Sequence, residues 1–209
     1  MRTVAVLPVK DFSRAKQRLS EGLDARSRQE LAEAMLLDVL EALGSTAVEE
    51  VVVVSAGARA REIAHAYGAS AIEDREQGHN VAAAIGVRAA RALGAQRALL
   101  VPGDCPALDP PEVDGLLARA VRPPSALIVP DRHGTGTNAL LLTPPDALAP
   151  SFGPGSCQRH LGNARAQGID SHVVELPSLA LDVDTPDDLA VLARLSDRAP
   201  RTQALLSPC

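Results

Sequence analysis

Asp104, Asp182 and Asp184, with Lys10, Arg14, Lys16 and Arg18, are spaced as a site for a metal ion and a polyphosphate would need. Asp104 stands in Gly103-Asp104-Cys105-Pro106, directly after the apolar run Ala98–Pro102. Asp182 and Asp184 stand two apart in Leu181-Asp182-Val183-Asp184. Mg2+ is commonly held by one or two carboxylates plus substrate phosphates, and Asp104 with Asp182 or Asp184 supplies that set. A turn aspartate and two helix N-terminal acids explain the same residues equally. Period 2 puts Asp182 and Asp184 on one face, so spacing does not choose between them; the helix start beside Asp184 gives it the more structural part. The stretch Pro8-Val9-Lys10-Asp11-Phe12-Ser13-Arg14-Ala15-Lys16-Gln17-Arg18-Leu19 brings four cations to the end of a first strand. Cations there suit a polyphosphate, although a solvated basic loop has the same composition.

Two further loops, Gly134-Thr135-Gly136-Thr137-Asn138 and Phe152-Gly153-Pro154-Gly155-Ser156, bracket the apolar run Ala139–Leu142. Glycines let backbone N–H groups converge, and Thr, Asn and Ser add donors, so both loops are anion-binding concavities. Together they read as a pocket for a small phosphorylated, carboxylated molecule. The segment 134–139 also fits the pattern G-x-G-x-x-A, but a strand follows it where a dinucleotide site requires a helix. No G-x-x-x-x-G-K-[ST] occurs. Gln77-Gly78-His79-Asn80 precedes the small-residue run Val81–Ile85, where a base and ribose could approach; a tightly packed helix explains it equally. His65, His79, His133, His160 and His172 show no metal spacing and read as idle, and Cys105 reads as a buried filler.

Apolar periodicity sets the elements that carry these groups. Val4–Pro8, Val51–Ser55, Ser70–Glu73, Arg97–Pro102, Ala126–Pro130, Ala139–Thr143 and His172–Leu176 read as strands. Residues 25–43, Arg59–Tyr67, Asn80–Leu93 (Asn80 as N-cap), Pro110–Val121, Ser156–Gln167 and a stretch from Thr185 (N-cap) to Leu195 read as helices. Alternation of the two, with continuously apolar strands, predicts a mainly parallel sheet covered on both faces, with ligand at the strands' carboxyl ends. Residues 1–195 read as one domain, and 196–209, which lose periodicity, as a frayed tail.

The chain has 209 residues, a net charge of −5, 1% aromatic residues and three cysteines. That size suffices for one domain with a sizeable core. Stacking-based nucleic-acid binding is disfavoured, no run is long enough to span a membrane, and an odd cysteine count without Cys-x-x-Cys argues against disulfide or zinc frameworks. A cytoplasmic protein of bacterial composition fits, and an apolar-rich chain of this kind could form a homodimer.

Taken in order, Val6-Leu7-Pro8-Val9-Lys10, Ala15-Lys16-Gln17-Arg18-Leu19, Gly78-His79-Asn80, Gly103-Asp104-Cys105-Pro106, the two glycine loops and Asp182-Val183-Asp184-Thr185-Pro186 resemble the 2-phospho-L-lactate / phosphoenolpyruvate guanylyltransferases of coenzyme F-420 biosynthesis. The paired glycine loops are the most specific part; the two aspartate motifs are shared with other GT-A-type nucleotidyltransferases. The resemblance implies a GT-A-like, Rossmann-related α/β fold in three α/β/α layers, using GTP and Mg2+. It implies Lys16 and Asp104 as catalytic residues and Asp104, Asp182 and Asp184 as metal-facing residues. It further implies nucleotide contacts from Pro8, Lys10, Lys16, Arg18 and Asn80, and acceptor contacts from Thr137, Asn138, Gly153 and Ser156; Asn138 is a position where related sequences vary between Asn and Thr. Phosphoenolpyruvate is the preferred acceptor, and 2-phospho-L-lactate, 3-phosphoglycerate or a molybdopterin-type acceptor with CTP are alternatives. A non-catalytic nucleotide-binding module is the rival of a different class, opposed by the presence of both the carboxylates and the basic loop.

Overall fold

The computed structural model describes residues 1–75, 78–195 and 198–206. Seven strands form one sheet: β1 (Thr3–Pro8), β2 (Glu50–Val54), β3 (Ser70–Ile72), β4 (Arg97–Leu100), β5 (Ser125–Pro130), β6 (Thr137–Thr143) and β7 (Asp170–Val173), in the order β3-β2-β1-β4-β6-β5-β7. All neighbours pair in parallel except β6, which is antiparallel to both β4 and β5. This reversal decides where the site lies. The amino end of β6 and the carboxyl ends of β1, β4 and β5 share one edge, so the 131–136 loop faces the loops after β1 and β4.

The helices are α1 (Ala25–Leu43), α2 (Ala58–Ala66), α3 (His79–Ala92), α4 (Pro110–Leu117), α5 (Ser156–Ala166), α6 (Pro186–Leu192) and α7 (Pro200–Leu206). Strand alternation divides the core into two layers. Ala5, Leu7, Val53, Leu99, Leu127 and Leu141 pack with α1, α2 and α4. Val4, Val6, Val52, Leu100, Ile128 and Leu140 pack with α3 and α5 on the other face. A third cluster, including Leu19, Met35, Leu181, Val183 and Leu192, lies beneath the functional edge. It anchors the basic loop and the segment carrying Asp182 and Asp184.

Helix α3 packs closely against the sheet at Gly86. A Cβ there would stand 2.1 Å from Val6 Cγ1 and 3.3 Å from Val54 Cγ2. Alanine gains about 1 kcal/mol of helix propensity over glycine, yet overpacking a tight core costs about 1–3 kcal/mol, occasionally more. A clash this short lies at the upper end, so Gly86→Ala should lower unfolding free energy by about 2 kcal/mol net. Urea denaturation measures it; an unchanged or raised midpoint contradicts the close packing.

Several sequence expectations shift. Helix α4 ends at Leu117 rather than Val121, ahead of Pro123-Pro124. Strand β7 is displaced towards the N-terminus, its register set by Ser125 opposite Asp170. Helix α3 begins at His79 with Gly78 at the N-cap and no side-chain cap, so Asn80 does not cap it. The expected frayed tail is instead a docked helix over Pro200–Leu206. Buried Asp38 on α1 accepts from Thr202 N at 2.9 Å and Thr202 Oγ1 at 2.7 Å, satisfying donors of its first turn. Short length hid this helix from periodicity. Of the tail, residues 196, 197 and 207–209 lie outside the described residues. No helix among the described residues is long and apolar enough to cross a membrane.

Candidate active site

A cleft of about 440 Å3 opens at the functional edge. Its walls include Pro8, Lys10, Lys16, Arg18, Asp104, Thr137, Asn138, Gly153, Ser156, Asp182 and Asp184, and also His79, Asp131 and Phe152. Lys16 and Asp184, 168 positions apart, thus meet in one volume. A smaller recess of about 190 Å3, lined in part by Ala56, Asp74 and Ala82, adjoins it and shares Pro8, Lys10 and His79.

Lys16 occupies the centre of the charged wall. Its ammonium donates to Asp104 Oδ2 at 2.7 Å and Asp184 Oδ1 at 3.0 Å, and its side chain is only 5% exposed. Burial opposes that charge, but the two carboxylates outweigh it and hold the ammonium above the ordinary lysine range. The backbone at Lys16 is left-handed, with φ 54° and ψ 37°. For a residue with a Cβ that costs about 1–2 kcal/mol, and two adjoining 3-10 turns hold it: Phe12–Arg14 and Gln17–Leu19. Arg18 stands 3.7 Å from Asp184 Oδ2 and remains exposed.

The segment 181–184 works by alternation. Leu181 and Val183 are buried, which turns Asp182 and Asp184 to the cleft. Val183 N donates to Asp104 O at 3.0 Å, joining the two acidic loops. Asp184 and Asp182 are nonetheless in different states. Burial raises the Asp184 carboxyl, but Lys16 and Arg18 more than reverse this and lower it. Asp182 is raised by burial and by the Asp104 charge, with the hydrogen bond from Asn138 opposing. Asp188 holds the turn: its Oδ2 accepts from Asp184 N at 3.0 Å and Thr185 N at 2.8 Å, within the capping box of α6. Its Oδ1 pairs with Arg132 at 2.7 Å, which ties this turn to the first glycine loop.

No preassembled cluster of three acidic, histidine or cysteine ligands occurs among the described residues. The donor set still suits a hard divalent cation that keeps most of its ligands from water and substrate phosphate. Three carboxylates face one cleft; Asp182 is raised by burial and by the Asp104 charge, and an ammonium already bridges the other two.

The glycine loops form the opposite wall. Asp131 Oδ1 accepts from Thr135 N at 2.9 Å and His133 N at 3.2 Å, curling the first loop. A Cβ at Gly136 would stand 2.6 Å from Asp131 Oδ2, so a side chain there would push on the carboxylate that holds the curl. Cys157 N donates to Thr135 O at 3.2 Å, linking this loop to the start of α5. Arg159 braces the second loop through Ser151 O at 2.7 Å and Pro154 O at 2.9 Å. The Ser156 side-chain oxygen is buried without a hydrogen-bond partner, at the N-terminus of an 11-residue helix and on the cleft wall. An orphaned hydroxyl at a helix N-terminus is suited to an anion.

Two expected site residues are used differently. Asn138 Nδ2 donates to Leu179 O at 2.8 Å and Asp182 Oδ1 at 3.2 Å. Its N–H groups therefore orient Asp182 and are not presented to an anion. Asn80 does not line the cleft; its amide donates to Phe152 O at 3.2 Å and accepts from Phe152 N at 2.7 Å. It mimics a peptide group and fastens α3 to the second glycine loop. Nor are the histidines idle: His79 and His160 flank the Phe152 ring edge-on, with centroids 5.1 and 5.3 Å away. Only the four-residue spacing of Ser156, His160 and Ala164 signalled that His160 faces inward.

A mostly parallel sheet lies between helical layers, with cations and carboxylates at one edge facing the two glycine loops. A solved protein of Desulfovibrio desulfuricans G20, provisionally assigned as a nucleotide-diphospho-sugar transferase, shares the fold at TM-score 0.75 and 18% identity, covering 99% of this chain and 94% of that one. The family model "Guanylyl transferase CofC like" matches residues 3–198, and the chain belongs to that family. It is 50% identical over 201 residues to the phosphoenolpyruvate guanylyltransferase of Conexibacter woesei, covering 93% of this chain and 89% of the relative. It is 39% identical over 210 residues to the 3-phospho-D-glycerate guanylyltransferase of Colwellia psychrerythraea, covering 100% and 99% respectively.

Proposed function

We propose that the protein transfers GMP from GTP to the phosphate of phosphoenolpyruvate, releasing pyrophosphate, as a step in coenzyme F-420 biosynthesis in the cytoplasm. The observation that carries this reading is the opposition of two walls across one cleft: the Lys16–Asp104–Asp184 cluster on one side and the orphaned Ser156 hydroxyl on the other. The 50% identical relative supports the acceptor.

The acceptor phosphate is already ionised near neutral pH, so no general base is needed. One of its oxygens forms a bond to the α-phosphorus of GTP, and the bond from that phosphorus to the β-bridging oxygen breaks. The difficulty is bringing two anions together in line, which is a matter of positioning and charge neutralisation. Lys10, Lys16 and Arg18 meet the triphosphate, and the adjoining recess receives the nucleoside. Thr137, Gly153 and Ser156 hold the acceptor, and Asn138 sets Asp182. Asp104 with Asp182 or Asp184 would hold Mg2+, which supplies neutralisation of phosphate charge when bound.

Ser156→Ala removes a donor from the acceptor wall alone. A hydrogen bond to a charged group contributes about 1.5–3 kcal/mol, so the acceptor KM should rise by about tenfold or more while the GTP KM stays within about twofold. Steady-state kinetics with each substrate varied checks it. Equal effects on both substrates would place Ser156 elsewhere.

A further inference from the structure

We propose that His160, a residue outside the cleft wall, is a positioning residue that aims the Thr137 hydroxyl proton at the acceptor anion and fixes the spacing of the two glycine loops. This rests on the assignment of those loops to the acceptor.

His160 is fully buried on α5. Ser151 N lies 2.9 Å from its Nε2. A backbone N–H can only donate, so Nε2 must be the bare, accepting nitrogen. The single ring proton of the neutral imidazole is therefore on Nδ1, which lies 3.1 Å from Thr137 Oγ1. Nδ1 donates and Thr137 Oγ1 accepts, which leaves the threonine hydroxyl proton free to point away from the ring. Thr137 lines the cleft, so that proton is available to an anion there. The opposite tautomer would reverse the arrangement, making Thr137 a donor to the ring and presenting only lone pairs to the substrate. Burial, with a smaller push from the Arg159 charge, lowers the imidazole to about 4, which keeps it neutral at working pH.

The same ring reaches both loops at once. It touches Thr137 in the first and Ser151 beside the second, and packs edge-on against Phe152. Phe152 is in turn fastened to α3 by Asn80.

Two measurements test this. In the 1H–15N spectrum of histidine ring nitrogens of the wild-type protein at pH 7, His160 should show the neutral Nδ1–H pattern. An Nε2–H or doubly protonated ring overturns the proposal, and this readout is independent of any substrate. The second is kinetic, comparing His160→Asn, which keeps a donor near the Nδ1 position, with His160→Gln, which keeps an acceptor near Nε2 but loses that donor, alongside Thr137→Val and the double variant His160→Gln/Thr137→Val. His160→Gln and Thr137→Val should each raise the phosphoenolpyruvate KM about tenfold, with GTP KM within twofold. The double variant should be no worse than the poorer single one, and His160→Asn should recover most of the loss. A phosphoenolpyruvate KM within twofold of wild type in His160→Gln, or fully additive effects, overturns the proposal. If wild type saturates with no phosphorylated acid, the acceptor assignment itself has failed, and the aiming role falls with it even where the tautomer is as expected.

Discussion

Asp104→Ala should reduce GTP-dependent pyrophosphate release by about three orders of magnitude or more, the scale on which charge-stabilising groups at phosphoryl centres act. Asp104 stands at the carboxyl end of β4 and accepts from Lys16 at 2.7 Å, and its backbone receives Val183 N. Removing the carboxylate frees Lys16 from one of its two partners and takes away the carboxylate common to both possible metal pairs. The backbone contact with Val183 survives, so the fold should persist. Comparable thermal unfolding with abolished turnover is the expected pair of results. Near-normal pyrophosphate release in a folded variant would remove Asp104 from the site.

Lys16→Met should produce two opposite effects. Turnover should fall by about 100-fold or more, because a cation aligned with the triphosphate is lost. Divalent-ion binding to the substrate-free protein should strengthen. The Lys16 ammonium now sits between Asp104 and Asp184 at hydrogen-bond distance from both, so a second cation must compete with it. Its removal leaves two facing carboxylates without a counter-charge, an arrangement that favours a divalent ion. Mn2+ titration followed by paramagnetic relaxation, set beside steady-state kinetics, reads both effects. Weaker Mn2+ binding in the variant would show that Lys16 supports the metal-facing carboxylates instead of competing for them.

Much of this site was legible in the sequence because its signals are local. Gly103-Asp104-Cys105-Pro106 follows an apolar run, Asp182-Val183-Asp184 alternates, and Thr185-Pro186 starts a helix; each motif carries its geometry within a few residues. The glycine loops were legible for the same reason. What sequence hid was the partner of each polar side chain. Asn80 looked like a cap because it precedes an alanine-rich helix, but its amide is matched to the Phe152 backbone 72 residues away. Asn138 looked like an anion donor, yet its amide is spent on Leu179 and Asp182. His160 shows no metal spacing, and the role of a histidine that bridges two loops depends on what lies at each nitrogen. Strand direction was hidden too. A continuously apolar run reads alike in parallel and antiparallel pairing, so the reversal of β6, which brings the first glycine loop to the functional edge, emerged only from the sheet. Helix α7 was lost in a stretch too short for periodicity, although Asp38 anchors it.

The identity of the acceptor is the central claim, and direct assay tests it. Purified protein with GTP and Mg2+ is given phosphoenolpyruvate, 2-phospho-L-lactate or 3-phospho-D-glycerate in turn, with pyrophosphate followed continuously and the guanylylated product identified by mass. Pyrophosphate release should be fastest with phosphoenolpyruvate, with enolpyruvyl-diphospho-guanosine as product. Faster release with 3-phospho-D-glycerate or 2-phospho-L-lactate would contradict that acceptor, and release with none of the three would contradict the guanylyl transfer itself.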